Sequence, residues 1–215
     1  MTGLVILGAG GLGREAHGIV DAVNAAGGDW DFLGFVDPGP ARLELVTELG
    51  PLLGGDEVLP SLPEGTHFVV AIGDNEQRRR AADAADAAGL IAAVLVHPRA
   101  TVGSRRVELG AGTIVAAGAA ITTNVIIGRH ARIDQNATVA HDARLGDFVA
   151  LSPGSNISGN VVLDDGVLVG TNAAVIQGIT VGAGAVIGAG AVVVRDVGTG
   201  QTVAGVPAAP LGRRS

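Results

Sequence analysis

The chain has 215 residues, a formal net charge of −7, 2% aromatic residues and no cysteine. The length suits one large domain or two small ones, and an acidic balance with so few rings leaves no basic patch or stacking surface for nucleic acid. Without cysteine there is neither a disulfide framework nor a thiolate zinc site, which fits a reducing cytoplasm.

No basic leader precedes the first apolar run, residues 4–7, so no signal peptide is expected. That run reads as a strand and ends in Gly8-Ala9-Gly10-Gly11-Leu12-Gly13. A helix is predicted over 14–26 and a second strand over 32–36, ending in the turn Asp37-Pro38-Gly39-Pro40. Residues 41–65 are broken by Pro51, Gly54, Gly55, Pro60 and Pro63. A third strand is predicted over 67–72, a helix rich in Ala, Arg, Asp, Glu and Gln over 75–88, and a fourth strand over 92–96. The alternation implies a Rossmann-like α/β half-domain, residues 1–97, with about four parallel strands and crossover helices.

The spacing Gly8-x-Gly10-x-x-Gly13 lies between a strand and a helix, and Asp37 follows at the end of the second strand. This is the dinucleotide fingerprint in its expected setting: glycines let the backbone approach a phosphate, and the helix start offers free N–H groups. Asp37 is a candidate acceptor for a ribose or base. A half-domain suits a nucleotide or nucleotide-linked sugar better than NAD, and a purely structural turn is the bland reading.

His97-Pro98 marks the boundary to a second domain, residues 98–215. Stepping by six from Leu109 gives an aliphatic residue at each of fifteen positions through Val193. Four residues after each, the side chain is small or β-branched, as at Ala119, Ala137, Ser155 and Ala173. A fixed short period of this kind predicts a parallel β-helix, and fifteen hexapeptides at three per coil make five coils. Val102 is a plausible first residue, with one residue too many before Leu109. Residues 199–215 leave the register. The uncharged stretch 166–194 keeps the six-residue period and is rich in glycine, so it reads as solenoid and no membrane span is expected.

His141 stands third in its hexapeptide and is expected to project outward, beside Asp142. A histidine next to a carboxylate suits a general base, because the carboxylate fixes the tautomer and steadies the imidazolium. A solvated surface histidine is the bland alternative. Gly159 lies one full coil later, where its N–H can serve an oxyanion. Among the other histidines, His17 faces a nucleotide or packs on its helix, and His130 is expected to be exposed. Arg78-Arg79-Arg80 reads as a solvated helix face, with Arg78 the one able to reach a phosphate. No pair has metal-ligand spacing, so no metal is expected.

At these residues the chain resembles bacterial sugar acetyltransferases of the sialic acid O-acetyltransferase and nucleotide-sugar N-acetyltransferase type. The resemblance spans nearly the whole length. It rests on Ile6 to Gly11, Gly34-Phe35-Val36-Asp37, Ala71-Ile72-Gly73-Asp74-Asn75, His97-Pro98, His141-Asp142 with Leu145-Gly146-Asp147-Phe148, Ser152-Pro153-Gly154, and Gly205-Val206-Pro207-Ala208. It implies a homotrimer of left-handed β-helices with acetyl-CoA between neighbouring helices. It also implies a nucleotide-linked sugar on the first domain, contacted by Gly10, Gly11, Leu12, Asp37 and Gly73. His141 would be the base, Asp142 its acidic neighbour and Gly159 the oxyanion donor. Thr171 and Ala189 would line the CoA channel. The chain departs from relatives that carry His at Leu12, His at Ala150, Asn at Asp134 and Glu at Asp142.

The expected activity is transfer of acetyl from acetyl-CoA to the amino group of a nucleotide-linked amino sugar, in surface-glycan biosynthesis. Transfer to a sugar hydroxyl is the alternative within the same enzyme class. An NAD-dependent binding module and a purely structural solenoid are the readings outside it.

Overall fold

The computed structural model describes residues 1–39 and 42–211, so Pro40 of the predicted turn and the last four residues lie outside it. The chain divides into two compact units, Met1–Pro98 and Arg99–Ser215.

In the first unit, β1 (Thr2–Leu7) is the central strand, and Leu4, Val5 and Ile6 are wholly buried. A strand covered on both faces reads as a continuous apolar run rather than an alternation. It is followed by α1 (Gly11–Ala25), β2 (Trp30–Val36), α2 (Leu43–Thr47), β3 (Leu52–Gly54), β4 (His67–Val70), α3 (Asn75–Ala87) and β5 (Ile91–Ala92). The sheet has five strands in the order β3-β2-β1-β4-β5, all parallel. The sequence implies about four strands; the fifth, β3, is three residues long and hides in the Pro- and Gly-broken stretch. The predicted fourth strand is two pieces, β5 and Leu95–Val96.

Local chemistry sets both crossover helices. α1 begins at Gly11, three residues earlier than the pattern predicts, and turns Ala16, Ile19 and Val20 inward. α3 is capped by Asp74, whose carboxylate accepts from the Gln77 N–H at 2.8 Å, and buries Ala81, Ala82 and Ala85.

The second unit is a left-handed parallel β-helix of two- and three-residue strands on three faces. One face runs from Thr101–Val102 to Val192–Val193, the next from Val107–Leu109 to Thr180–Val181, and the third carries Ile114–Val115 through Val186–Ile187. Each strand pairs in parallel with its equivalent one coil on, as in Arg132 with Ala150 and Ala150 with Leu168. The second residue of each pair points inward: Val115, Ile133, Leu151, Val169 and Ile187 form one stack with no exposed surface. Each such side chain contributes about 1.5–3 kcal/mol by leaving water. The small residues at the bends, Ala119, Ala137, Ser155, Ala173 and Ala191, are equally buried. So are Val125, Val149, Val161 and Val167, which therefore fill the chain's own core and are not an outer face.

The solenoid departs from its register at both ends. Thr101 pairs with Ala120, one position beyond the regular step, so the extra residue is absorbed within the first coil. After the last full coil, Thr202–Ala204 adds to the third face beside Val186–Ile187, two positions short of that step, and an antiparallel strand Ala209–Pro210 pairs with it. The tail thus leaves the hexapeptide period while extending the sheet. No helix among the described residues is long and apolar enough to cross a membrane; the uncharged stretch forms successive strands of the solenoid.

Candidate functional site

Two features concentrate the chemistry-bearing residues, one in each unit. In the first unit a cleft of about 340 Å³ is lined by Gly8, Gly10, Gly11, Leu12, Asp37, Pro38, Ala71, Ile72, Gly73 and Gln77. The predicted contacts Gly10, Gly11, Leu12, Asp37 and Gly73 all border it; Pro38 and Ile72 adjoin two of them in the chain, whereas nothing in the sequence pattern marks Gln77 as their neighbour. The glycines of the fingerprint do different work. Gly8 has φ +97°, and a Cβ there would sit 2.8 Å from Ile72 Cγ1. A Cβ on Gly13 would lie 2.1 Å from the Gly8 carbonyl oxygen, so this glycine lets the helix close against the loop. Gly10 and Gly11 face open space.

No side chain caps the start of α1, and its first turn holds no acidic residue. The unfilled N–H groups and the positive end of the helix dipole border the cleft, a setting that favours an anion. Asp37 holds the loop in place: Oδ2 accepts from Ala9 N–H at 2.8 Å, and Oδ1 accepts from Gly39 N–H at 2.9 Å. Each oxygen keeps a further lone pair for a ligand.

Arg78 differs from expectation. It is 1% exposed, and its guanidinium donates to the Ile72 carbonyl at 3.2 Å and to the Asn75 side chain. It braces the Ile72–Asn75 turn from within rather than forming a solvated face. His17 is buried against Phe32 and Phe35, with ring centroids 4.6 and 5.9 Å away, and does not line the cleft.

In the second unit, His141 and Asp142 occupy a bend between the first and second faces, after Thr138–Val139 and before Arg144–Leu145. Asp142 takes φ +63°, a position filled at most bends by Gly or Asn. His141 Nδ1 lies 2.7 Å from Asp142 Oδ2. Both side chains are half open to solvent, 53% and 42% exposed. The Asn124 amide, one coil below, donates to Asp142 Oδ1. That bond, with the His141 contact second, holds the Asp142 carboxyl below the usual aspartate range. Sequence reasoning missed Asn124; its only signal was an offset of one full coil from Asp142.

Gly159 lies one coil above His141, at the same bend, and a Cβ there would sit 2.5 Å from His141 Cε1. Among the described residues its N–H meets no hydrogen-bond acceptor. A histidine fixed on one nitrogen by a carboxylate can remove a proton from a nucleophile at the other, and the free N–H of the glycine packed against its ring can stabilise an oxyanion.

Thr171 and Ala189 stack on each other, with Gly190 N–H donating to the Thr171 carbonyl at 2.8 Å. They sit on a different edge, between the third and first faces. A single chain therefore does not bring them to His141. Ala150 is buried in the strand above Arg132, and Arg132 Nε lies 2.9 Å from Asp134 Oδ1. Two of the departures from the resembling family thus meet at one arginine. His130, expected to be exposed, is 3% exposed and stacks on Phe148, ring centroids 5.1 Å apart. Among the described residues no group of three or more His, Asp or Glu is placed to hold a metal.

Comparison with known proteins adds to this geometry. Residues 3–85 match the family model described as the PglD N-terminal domain. The chain is similar to PerB from Caulobacter crescentus, solved in complex with CoA and GDP-perosamine, at 36% identity and a TM-score of 0.85, covering 99% of this chain and 98% of that one. The Caulobacter protein, a perosamine N-acetyltransferase, has also been solved as its H141N and H141A variants. WeeI from Acinetobacter baumannii is 26% identical with a TM-score of 0.87, covering 98% of this chain and 100% of its own. The acetyltransferase domain of PglB from Neisseria gonorrhoeae, in complex with acetyl coenzyme A, is 34% identical with a TM-score of 0.71, covering 97% and 98%. No curated protein sequence matches significantly.

Proposed function

This chain belongs to the family of bacterial sugar acetyltransferases that join a PglD-type N-terminal domain to a hexapeptide β-helix, and from that premise we propose that it moves the acetyl group of acetyl-CoA onto the amino group of a nucleotide-linked amino sugar. The observation that carries the reading is the exposed His141–Asp142 pair beside the free N–H of Gly159. The likeness to a perosamine N-acetyltransferase, over nearly the full length of both chains, supports an amine acceptor.

In this mechanism the sugar amine attacks the thioester carbonyl carbon and a C–N bond forms. His141 Nε2 takes the proton released by the amine, while Asp142 accepts from Nδ1–H and steadies the charged ring. The Gly159 N–H donates to the oxyanion of the tetrahedral species. When that species collapses, the C–S bond breaks, the amide carbonyl reforms, and the sulfur leaves as CoA thiol once His141 returns the proton. Acid–base help of this kind is worth about 100- to 10,000-fold. The Caulobacter relative was solved as variants of a histidine bearing the same number, which supports His141 as the base.

The cleft at the start of α1 is the proposed seat of the nucleotide-linked sugar. Gly10 and Gly11 give the diphosphate room to approach, the helix start favours its charge, and Leu12, Asp37 and Gly73 border the rest. Thr171 and Ala189 are the proposed CoA contacts. Because they lie on a different edge from His141, a site that uses both needs a second copy of the chain, and this supports a homotrimer with donor sites between neighbours. The place of action proposed is the cytoplasm, where acetyl-CoA and nucleotide sugars are made.

The test is CoA thiol release from acetyl-CoA with a panel of UDP-, GDP-, TDP- and CMP-linked sugars, amino and non-amino, GDP-perosamine included. Release with an amino sugar that His141→Ala lowers by about 100-fold or more supports the reading. Release only with non-amino sugars would transfer it to O-acetylation, and an undiminished rate in His141→Ala would remove His141 from the mechanism.

A further inference from the structure

The His141–Asp142 pair is too exposed for packing alone to orient it. Rotation of an unrestrained aspartate on a bend would carry Oδ2 away from the imidazole. What opposes this rotation comes from the coil below. Asn124 stands at the equivalent position one coil before Asp142 and takes the same left-handed conformation, φ +54° against +63°, so both side chains leave the solenoid from matching points. One backbone bond joins the two bends, Asp142 N–H donating to the Thr123 carbonyl at 3.3 Å, and the same contact ties Asn124 to the coil below it, its N–H donating to the Arg105 carbonyl at 3.0 Å.

We propose that Asn124 is a positioning residue for the catalytic pair. Its amide donates to Asp142 Oδ1, which commits that oxygen and leaves Oδ2 facing His141 Nδ1. The imidazole then presents Nε2 as the acceptor. The order is a relay along two adjacent bends: Asn124 amide, Asp142 carboxylate, His141 ring. The same asparagine bond is the largest influence lowering the Asp142 carboxyl below the usual aspartate range, as expected of an amide that donates to a carboxylate. The competing role is conformational only, since Asn136, Asn160 and Asn172 occupy left-handed bends elsewhere in the solenoid. The proposal rests on the reading of His141 as the base.

A double-mutant cycle separates the two roles. Asn124→Gly removes the amide and keeps a backbone that adopts positive φ without strain. Asp142→Gly removes the carboxylate in the same way. Asn124→Gly is expected to lower kcat by about tenfold with both KM values within about twofold, the pattern of a misplaced catalytic group. In the Asp142→Gly background the same change should cost nothing further. Equal losses in the two backgrounds, or no loss in either, would overturn the relay.

A second measurement does not depend on acetyl transfer. Diethyl pyrocarbonate modifies the neutral imidazole, and peptide mass spectrometry reads the rate at His141. At alkaline pH, where an imidazole is neutral with or without a carboxylate beside it, the relay predicts several-fold slower modification in Asn124→Gly, because Nε2 is the weaker nucleophile once Nδ1–H no longer donates to a fixed carboxylate, and no additional slowing in the double variant. An unchanged rate overturns the proposal. Slower modification in a protein that acetylates no member of the sugar panel would retain the relay and reject the acetyltransferase reading.

Discussion

The imidazole of His141 rests over the Cα of Gly159, so close that a methyl group added to Gly159 would lie 2.5 Å from Cε1 and 2.7 Å from Nε2. No other residue type leaves the ring where it is, because every other one carries that Cβ. The prediction is that Gly159→Ala keeps its N–H and the fold yet pushes the ring aside. A displacement near 1 Å costs about 100-fold when it misplaces a reacting group. Steady-state kinetics should find kcat lowered by that order, and a variant within about twofold of wild type would deny the close approach any role.

The fingerprint glycines should separate by stability and binding. Gly13→Ala places a Cβ 2.1 Å from the Gly8 carbonyl oxygen, so α1 must shift away from the loop, at an expected cost of about 1–3 kcal/mol in denaturant unfolding. Gly10 has φ −71° and ψ −162°, which alanine adopts freely, and nothing lies within 4 Å of its added Cβ. Gly10→Ala should therefore unfold like wild type while raising KM for the nucleotide sugar by about tenfold. Equal melting and equal KM in both variants would remove the cleft from binding.

Asp37 can be tested as a structural acceptor independently of any ligand. Ala9 is wholly buried, and its N–H donates to Asp37 Oδ2. Asp37→Ala leaves that donor without its acceptor, which costs about 1–3 kcal/mol. Asp37→Asn keeps one acceptor oxygen and should lose less. Chemical denaturation of the three proteins checks the order.

Acid should act on the second unit through Asp142. Its carboxyl is held below the usual aspartate range, chiefly by the Asn124 amide and then by His141. A depressed folded-state value means the unfolded chain binds the proton first as pH falls. The stabilisation is therefore fully present above the unfolded aspartate value and disappears as pH drops through the lower, folded one. The gap in denaturant midpoint between wild type and Asn124→Gly should be constant while the pH stays above the ordinary aspartate range and should shrink as the pH falls through and below it. A gap unaffected by acid would mean that Asn124 stabilises through something other than the charged carboxylate.

The solenoid was legible because its core obeys one short rule, and the inward stack from Val115 to Ile187 repeats that rule on one face of each coil. The cleft was legible because glycine spacing and a distant aspartate are local marks. What escaped belongs to longer offsets. His130 reads as a surface residue until Phe148 is placed at the equivalent bend of the next coil and covers it. Asn124 escaped for the same reason, since its partner is one coil distant. Arg78 sits in a run of three arginines, and nothing local distinguishes the one whose guanidinium turns inward to the Ile72 carbonyl. β3 is a three-residue edge strand in a segment full of helix and strand breakers, too short for any period to register.

The strict coil-to-coil pairing turns the second unit into a ruler. Each coil adds one strand spacing, about 4.8 Å, along the axis and leaves the lateral position of every bend unchanged. Duplication of one coil between Asp142 and Thr171 would raise Thr171 and Ala189 together by that increment relative to His141, with no new bend and no new core residue type. With the donor contacts proposed at Thr171 and Ala189, the reach demanded of a donor molecule would be quantised by gene length, and a solenoid of this kind could be refitted to a longer or shorter donor by whole-coil insertion or deletion instead of reshaping the bend that carries His141 and Asp142.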